Sequence, residues 1–102
     1  MRQFEAYQNP SPESREVAPF LVIISSHHLR DLTEVVVAPI VGDAPARIAE
    51  LELSVSLGDQ HLTLVVSDLF SMRAHQLRRR VGSLAGHEDE IRRALDRLFT
   101  GF

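Results

Sequence analysis

Five histidines in a chain of 102 residues are the first places to look for metal or acid–base chemistry. A metal site needs a countable set of correctly spaced ligands, and the spacing here does not provide one. His87-Glu88 begins like the helix of a zinc protease, but the residue four positions after His87 is Ile91, so the second ligand is missing. His27 and His28 are neighbours, and in a strand they would point to opposite faces. His61 opens a strand-like run and His75 lies among arginines, where solvated roles are the simpler reading. Nucleophilic chemistry is also restricted. The chain has no Cys and no Lys, which excludes thiol nucleophiles, disulfides, Cys-ligated zinc, a side-chain Schiff base and the lysine of a phosphate-binding P-loop. Gly82-Ser83-Leu84-Ala85-Gly86 departs from a nucleophile elbow because Ser83 directly follows the first Gly. As a phosphate-holding turn it is spoiled by Glu88, Asp89 and Glu90, which repel an anion. Asp89 and Asp96 would share a helix face, which a solvated charged surface explains. The sequence therefore predicts no catalytic residue, no metal and no cofactor.

Charge is distributed unevenly. Residues 1–70 carry four Arg against ten acids, a balance of −6, and residues 71–102 carry seven Arg against four acids, a balance of +3. A basic face attracts nucleic acid or an acidic peptide, but +3 is small for a domain that tracks phosphates. Arg78-Arg79-Arg80 is the densest basic run. Read as strand, it turns its middle Arg away from its neighbours, so it suits a charged edge strand, with an acidic-peptide site as the functional alternative.

The elements that must position these residues read as strands followed by one helix. Gln3 to Tyr7 alternates, with Phe4 and Ala6 on one face and Gln3, Glu5 and Tyr7 on the other. Gln8 to Ala18 has the composition of a hairpin loop, and Phe20 to Ile24 follows as a strand whose edge Pro19 marks. Glu34 to Ile40, with Val35-Val36-Val37, is a further strand, stopped by Pro39, and both strands read as central. Leu51 to Leu57 and His61 to Ser67 alternate on either side of Gly58-Asp59-Gln60, the most secure hairpin. Asp43 to Glu50 reads as loop, and Gln76 to Val81 as a short strand. From Gly86, taken as N-cap, Ile91, Leu95, Leu98 and Phe99 form one apolar helical stripe with Ala94 beside it. Acids in the first turn, Arg97 near the last, and the pairs Glu88/Arg92 and Asp89/Arg93 support the helix. The pattern predicts one α+β domain spanning 1–102.

With 44% hydrophobic and 25% charged residues, the composition is that of an ordinary globular domain. The N-terminus has no apolar core of a secretory signal, and the longest apolar run, Ala18 to Ile24, falls below the roughly 20 residues a membrane span requires. A cytoplasmic protein without a membrane partner is expected. Thr100-Gly101-Phe102 closes the chain; a bulky apolar residue after a flexible Gly either folds back onto its own core or docks on another surface.

The whole chain resembles the CcdB family, toxins of plasmid and chromosomal toxin–antitoxin pairs that poison DNA gyrase. The matching residues are Gln3-Phe4 with Tyr7; Pro19-Phe20-Leu21-Val22 leading to Ser26; Val35-Val36-Val37 with Pro39; and Val81-Gly82-Ser83-Leu84-Ala85 followed by His87, Ile91, Ala94, Leu95, Leu98, Phe99 and Gly101. The resemblance implies a twisted antiparallel sheet, or small SH3-like barrel, with a C-terminal helix, related to the barrel of the PemK and MazF ribonuclease toxins. It implies a non-catalytic homodimer that binds the gyrase A subunit, traps the cleaved gyrase–DNA complex and is neutralised by a CcdA-like antitoxin. Operator DNA is reached only through that antitoxin. The gyrase-contacting positions it implies are Ser26, His28, Asp96, Thr100, Gly101 and Phe102, and the dimer positions are Ile24, Phe70 and Met72. Family poisons end in Trp-Gly-Ile; here Thr100 stands in place of the Trp and Phe102 in place of the Ile, while His28 replaces an apolar residue and Asp96 an Asn. A ribonuclease on the shared barrel, using Arg and His for acid–base work, and a non-toxic member that only binds antitoxin are the alternatives.

Overall fold

The computed structural model describes residues 2–26, 33–42 and 51–101. Seven strands, β1 (Glu5–Gln8), β2 (Phe20–Ile23), β3 (Glu34–Val41), β4 (Glu52–Leu57), β5 (Gln60–Val65), β6 (Phe70–Arg73) and β7 (Arg80–Ser83), precede one helix, α1 (Glu88–Thr100). They form an antiparallel sheet in the order β4-β5-β3-β2-β1-β7, with β6 also on β3. β3 serves two partners along one edge: Glu34 to Val37 pair with β6, and Ile40 and Val41 pair with β5. The sheet curls until its outer strands meet. A Cβ on Gly82 of β7 would lie 3.0 Å from Leu57 Cδ2 of β4, so a larger residue there would press on the Leu57 side chain. The result is a half-barrel capped by one helix, the α+β arrangement expected.

Several local expectations need correction. Pro39 does not stop its strand: it pairs with Leu21 inside β3. Ile24 donates to Val36 O at 2.8 Å, so alternate residues Val36, Ala38 and Ile40 direct their backbone groups to β2, and Pro39 faces the other edge. There β6 has ended and β5 has not begun, so its missing N–H leaves no bond unmade. Of the strand expected over Gln76 to Val81, only Arg80 and Val81 lie in one. Ala74–Gln76 form a 3-10 turn and the strand starts at Arg80. Asp43 to Glu50 lies outside the described residues. The 58–59 connection is as anticipated: Leu57 pairs with Gln60, and Gly58 holds the positive φ of 60° that the first central residue of such a turn favours.

The first strand is buried on both faces, not one. Phe4, Ala6, Val22, Ile24, Ala38, Ile40, Leu64 and Leu84 belong to the main core beneath α1, and Tyr7, Leu21, Ile23, Val37 and Leu77 form a smaller core on the opposite face. Phe4 takes a φ of 72°, unusual for a residue with a Cβ. It is held there by its N–H donating to Ile23 O and its carbonyl accepting from Leu84 N–H, both at 2.7 Å, with the Arg92 guanidinium 5.9 Å from its ring centroid.

α1 buries Ile91 and Ala94 in the main core, with Leu95 and Leu98 packed at its margin. Full burial of a side chain such as Ile91 contributes about 1.5–3 kcal/mol. Its N-cap is His87 rather than Gly86, because a 3-10 turn, Ala85–His87, is inserted before the helix. His87 Nδ1 lies 3.1 Å from Glu90 Oε1, and Arg92 donates to Glu88 at 2.7 Å. Phe99 leaves the expected stripe and is 70% exposed.

Candidate interaction surfaces

The end of α1 carries the first surface. Asp96, Phe99, Thr100 and Gly101 are all exposed there. The Thr100 hydroxyl donates to Asp96 O. Gly101 takes φ 79° and its N–H donates to Arg97 O at 3.0 Å, a left-handed cap that ends the helix. Three of the six gyrase-contacting positions expected from the resemblance are thus gathered on one turn: Asp96, Thr100 and Gly101. Ser26 follows β2 and is half-buried, while His28 and Phe102 lie outside the described residues. Phe99 was missed by sequence reasoning because it fits the apolar stripe. Ile91, Ala94, Leu95 and Leu98 already cover the core, and the extra apolar residue beyond that need was the available signal.

A second surface lies on the face of the smaller core. Phe70 and Met72 from β6, Leu21, Pro39 and Ala18 line an apolar groove of about 450 Å³, rimmed by Asn9, Ser11, Ser14 and Gln76. Phe70 is 45% exposed. Of the expected dimer positions, Phe70 and Met72 are brought together here, and Ile24 is buried in the other cluster. The loop wall is fixed by Asn9, a buried polar residue. Its amide donates to Ala18 O at 2.9 Å and its side-chain oxygen accepts from Ser11 N–H at 3.0 Å.

Beside the groove is a cleft of about 460 Å³ lined by Gln8, Pro10, Arg15, His75, Gln76, Arg78 and Arg79. The alternation expected for Arg78-Arg79-Arg80 does not hold, because only Arg80 is in a strand. Arg78 and Arg79 occupy the connection before it and line one cleft together. Arg80 instead donates to Glu5 Oε2 at 2.8 Å. Burial by itself pushes Glu5 up, but the Arg2 backbone N–H, the Arg80 guanidinium and the Tyr7 hydroxyl outweigh it and hold the carboxyl below the usual range. Burial and the adjacent Glu5 carboxylate push the Tyr7 hydroxyl up. His61 is exposed, with Nδ1 3.3 Å from Ser56 Oγ, and Ser83 Oγ accepts from Ala85 N–H at 3.1 Å. Among the described residues no group of His, Asp and Glu is placed to hold a metal ion. No described helix is long and apolar enough to cross a membrane.

Comparison with known proteins agrees with this architecture. The chain is similar to the solved structure of an Mtb toxin at 23% identity, over 82% of this chain and 97% of that one, with a TM-score of 0.70. It is similar to the Mycobacterium tuberculosis toxin MazF-mt6 at 21% identity, over 96% of each chain, with a TM-score of 0.72. A mycobacterial endoribonuclease in complex with its cognate antitoxin matches at 12% identity, over 96% of this chain and 93% of that one, with a TM-score of 0.77. At these identities the likeness establishes the MazF-like toxin fold. No curated protein matches the chain at a significant level. The family model for the CcdB protein matches residues 3–101, and with a half-barrel and C-terminal helix of the matching kind, the chain belongs to the CcdB family.

Proposed function

We propose that this chain is the toxin of a toxin–antitoxin pair, acting as a homodimer that binds the DNA gyrase A subunit through the end of α1 and traps the cleaved gyrase–DNA complex. Membership of the CcdB family supports the toxin role, and a similar fold in an endoribonuclease held by its cognate antitoxin supports an antitoxin partner, here of the CcdA type. The observation that carries binding rather than catalysis is Phe99, 70% exposed on the last turn beside Thr100 and Gly101. A large apolar side chain on a capped helix end is an anchor already in place for a partner. Phe99 offers an aromatic anchor one position before Thr100, which stands where family poisons carry Trp. Phe70 and Met72, on the half-exposed apolar groove, are the proposed dimer contacts; Ile24 carries that role by resemblance alone. Ser26, His28, Asp96 and Phe102 remain proposed gyrase contacts on the same ground.

The test mixes purified protein with gyrase and supercoiled plasmid and measures linear DNA after protease treatment. Accumulation of linear DNA is the expected result, and none at micromolar protein would remove gyrase poisoning. A second reading, RNA cleavage, is favoured by the endoribonuclease structures of similar fold and by His75 beside Arg78 and Arg79. Cut cellular RNA without trapped gyrase would establish it in place of the first. Growth unaffected by overexpression, with antitoxin still bound, marks a non-toxic member.

A further inference from the structure

β4 and β7 stand at opposite ends of the strand order and meet across a seam where the sheet curls onto itself. At Gly82 the seam is closed, because Leu57 Cδ2 lies 3.0 Å from where a Cβ would stand. One residue earlier it opens. Ala6 pairs with Gly82 but Tyr7 pairs with Arg80, so Val81 is the extra residue of a β-bulge. A bulge breaks the alternation of a strand and re-aims a side chain, and bulges are frequent at barrel rims. Val81 is 38% exposed, and with Phe20 and Leu57 it lines a pocket of about 320 Å³ at this end of the half-barrel. Gln8 and Gln60 also line it, and among the described lining residues Arg79 is the one that carries a charge. Gln8 N–H donates to Arg79 O at 2.8 Å and fixes that backbone at the rim. Asp59, exposed at the tip of the β4–β5 turn, does not line the pocket.

We infer that this pocket binds a small monocarboxylic acid with an apolar body, its carboxylate held by Arg79 and its hydrocarbon covered by Phe20, Leu57 and Val81. Small-molecule sites combine apolar walls with a few polar groups that fix orientation, and the mouths of β-barrels are among their usual places. The volume lies at the small end of their range of about 300–1,000 Å³, which sets the size of the ligand. One guanidinium balances one carboxylate and holds both of its oxygens in a fork. The Gln8 and Gln60 carboxamides supply further donors to those oxygens. A phosphate group fits less well, because it brings a charge of about −2 to a pocket with one cation and leaves the apolar wall uncovered. The pocket shares no lining residue with the groove at Phe70 and Met72. It is independent of the gyrase reading, and its test contains no gyrase.

The test titrates the isotope-labelled chain with phenylbutyrate at neutral pH, where its carboxyl is ionised, and follows the backbone amide NMR shifts. Saturable shifts centred on Gly58, Gln60, Arg79 and Val81 are expected, with a dissociation constant of about 1 mM or tighter for an acid of this size. The neutral isostere phenylbutyramide should bind about tenfold more weakly, and Arg79→Gln should weaken binding of the acid by about the same factor. Arg78→Gln lies in the neighbouring basic cleft and not in this pocket, and should change binding less than about twofold. A dispersed amide spectrum in each variant ties the loss to the pocket and not to unfolding. The inference is overturned by shifts that do not saturate at about 10 mM acid, by an amide that binds as tightly as the acid, by an equal loss in Arg78→Gln, or by shifts centred on Phe70 and Met72 instead.

Discussion

Truncating Phe99 separates docking from folding. With 70% of the side chain in solvent and roughly 200 Å² of area on an aromatic side chain of this kind, about 140 Å² of apolar surface is free for a partner to cover. At about 25 cal/mol per Å² that area corresponds to at most ~3.5 kcal/mol, and covering little more than half of it still leaves ~2 kcal/mol. Phe99→Ala should therefore weaken target binding by roughly 30- to 300-fold. The same exposure means that little is lost from the core, so folding stability should change by less than about 0.5 kcal/mol. Calorimetric titration against the gyrase A subunit reads the first quantity and a urea melt reads the second. Binding by Phe99→Ala within twofold of wild type refutes the anchor argument. A loss of stability of several kcal/mol refutes the premise that the ring is free.

Thr100→Trp places a larger aromatic next to Phe99 on the same exposed turn and should raise affinity for the gyrase A subunit; an unchanged dissociation constant contradicts that expectation. Gly101→Ala forces a Cβ onto a φ of 79° and should cost about 1–2 kcal/mol, read as a lower urea midpoint, or fray the cap if the residue escapes the left-handed region. Because the Glu5 carboxyl is held below the ordinary carboxylate range, its contribution is fully present above that range and is lost as pH falls through the folded value. Glu5→Gln should then cost about 1 kcal/mol near pH 7, a figure kept small because Arg80 is half exposed, and the gap should narrow in thermal melts as acid protonates the Glu5 carboxyl. A gap that does not change with pH would mean that the ion pair contributes nothing.

Phe4 and Arg80 illustrate how far local patterns reach. The alternation through Ala6 correctly identifies a strand, yet nothing local indicates that Phe4 takes a left-handed backbone, because the bonds that hold it come from Ile23 and Leu84, far away in sequence. Alternation through Arg78-Arg79-Arg80 gave the wrong geometry for the same reason: where a strand begins depends on its partner, and the paired register with β1 starts at Arg80, with Arg79 reached by one bond from Gln8 N–H.

Taken alone, the sequence determined the β-rich α+β class, the tight hairpin at Gly58, the amphipathic C-terminal helix and the absence of thiol and lysine chemistry. Periodicity and residue type are properties of neighbours along the chain, so they can be read without a fold. The tertiary structure decided the rest. It let Pro39 sit inside a central strand, opened an apolar groove at Phe70 and Met72, gathered Arg15 with Arg78 and Arg79, and turned Phe99 into solvent. Each of these outcomes depends on which surfaces the curled sheet leaves uncovered, and that is settled only when segments distant in sequence pack together.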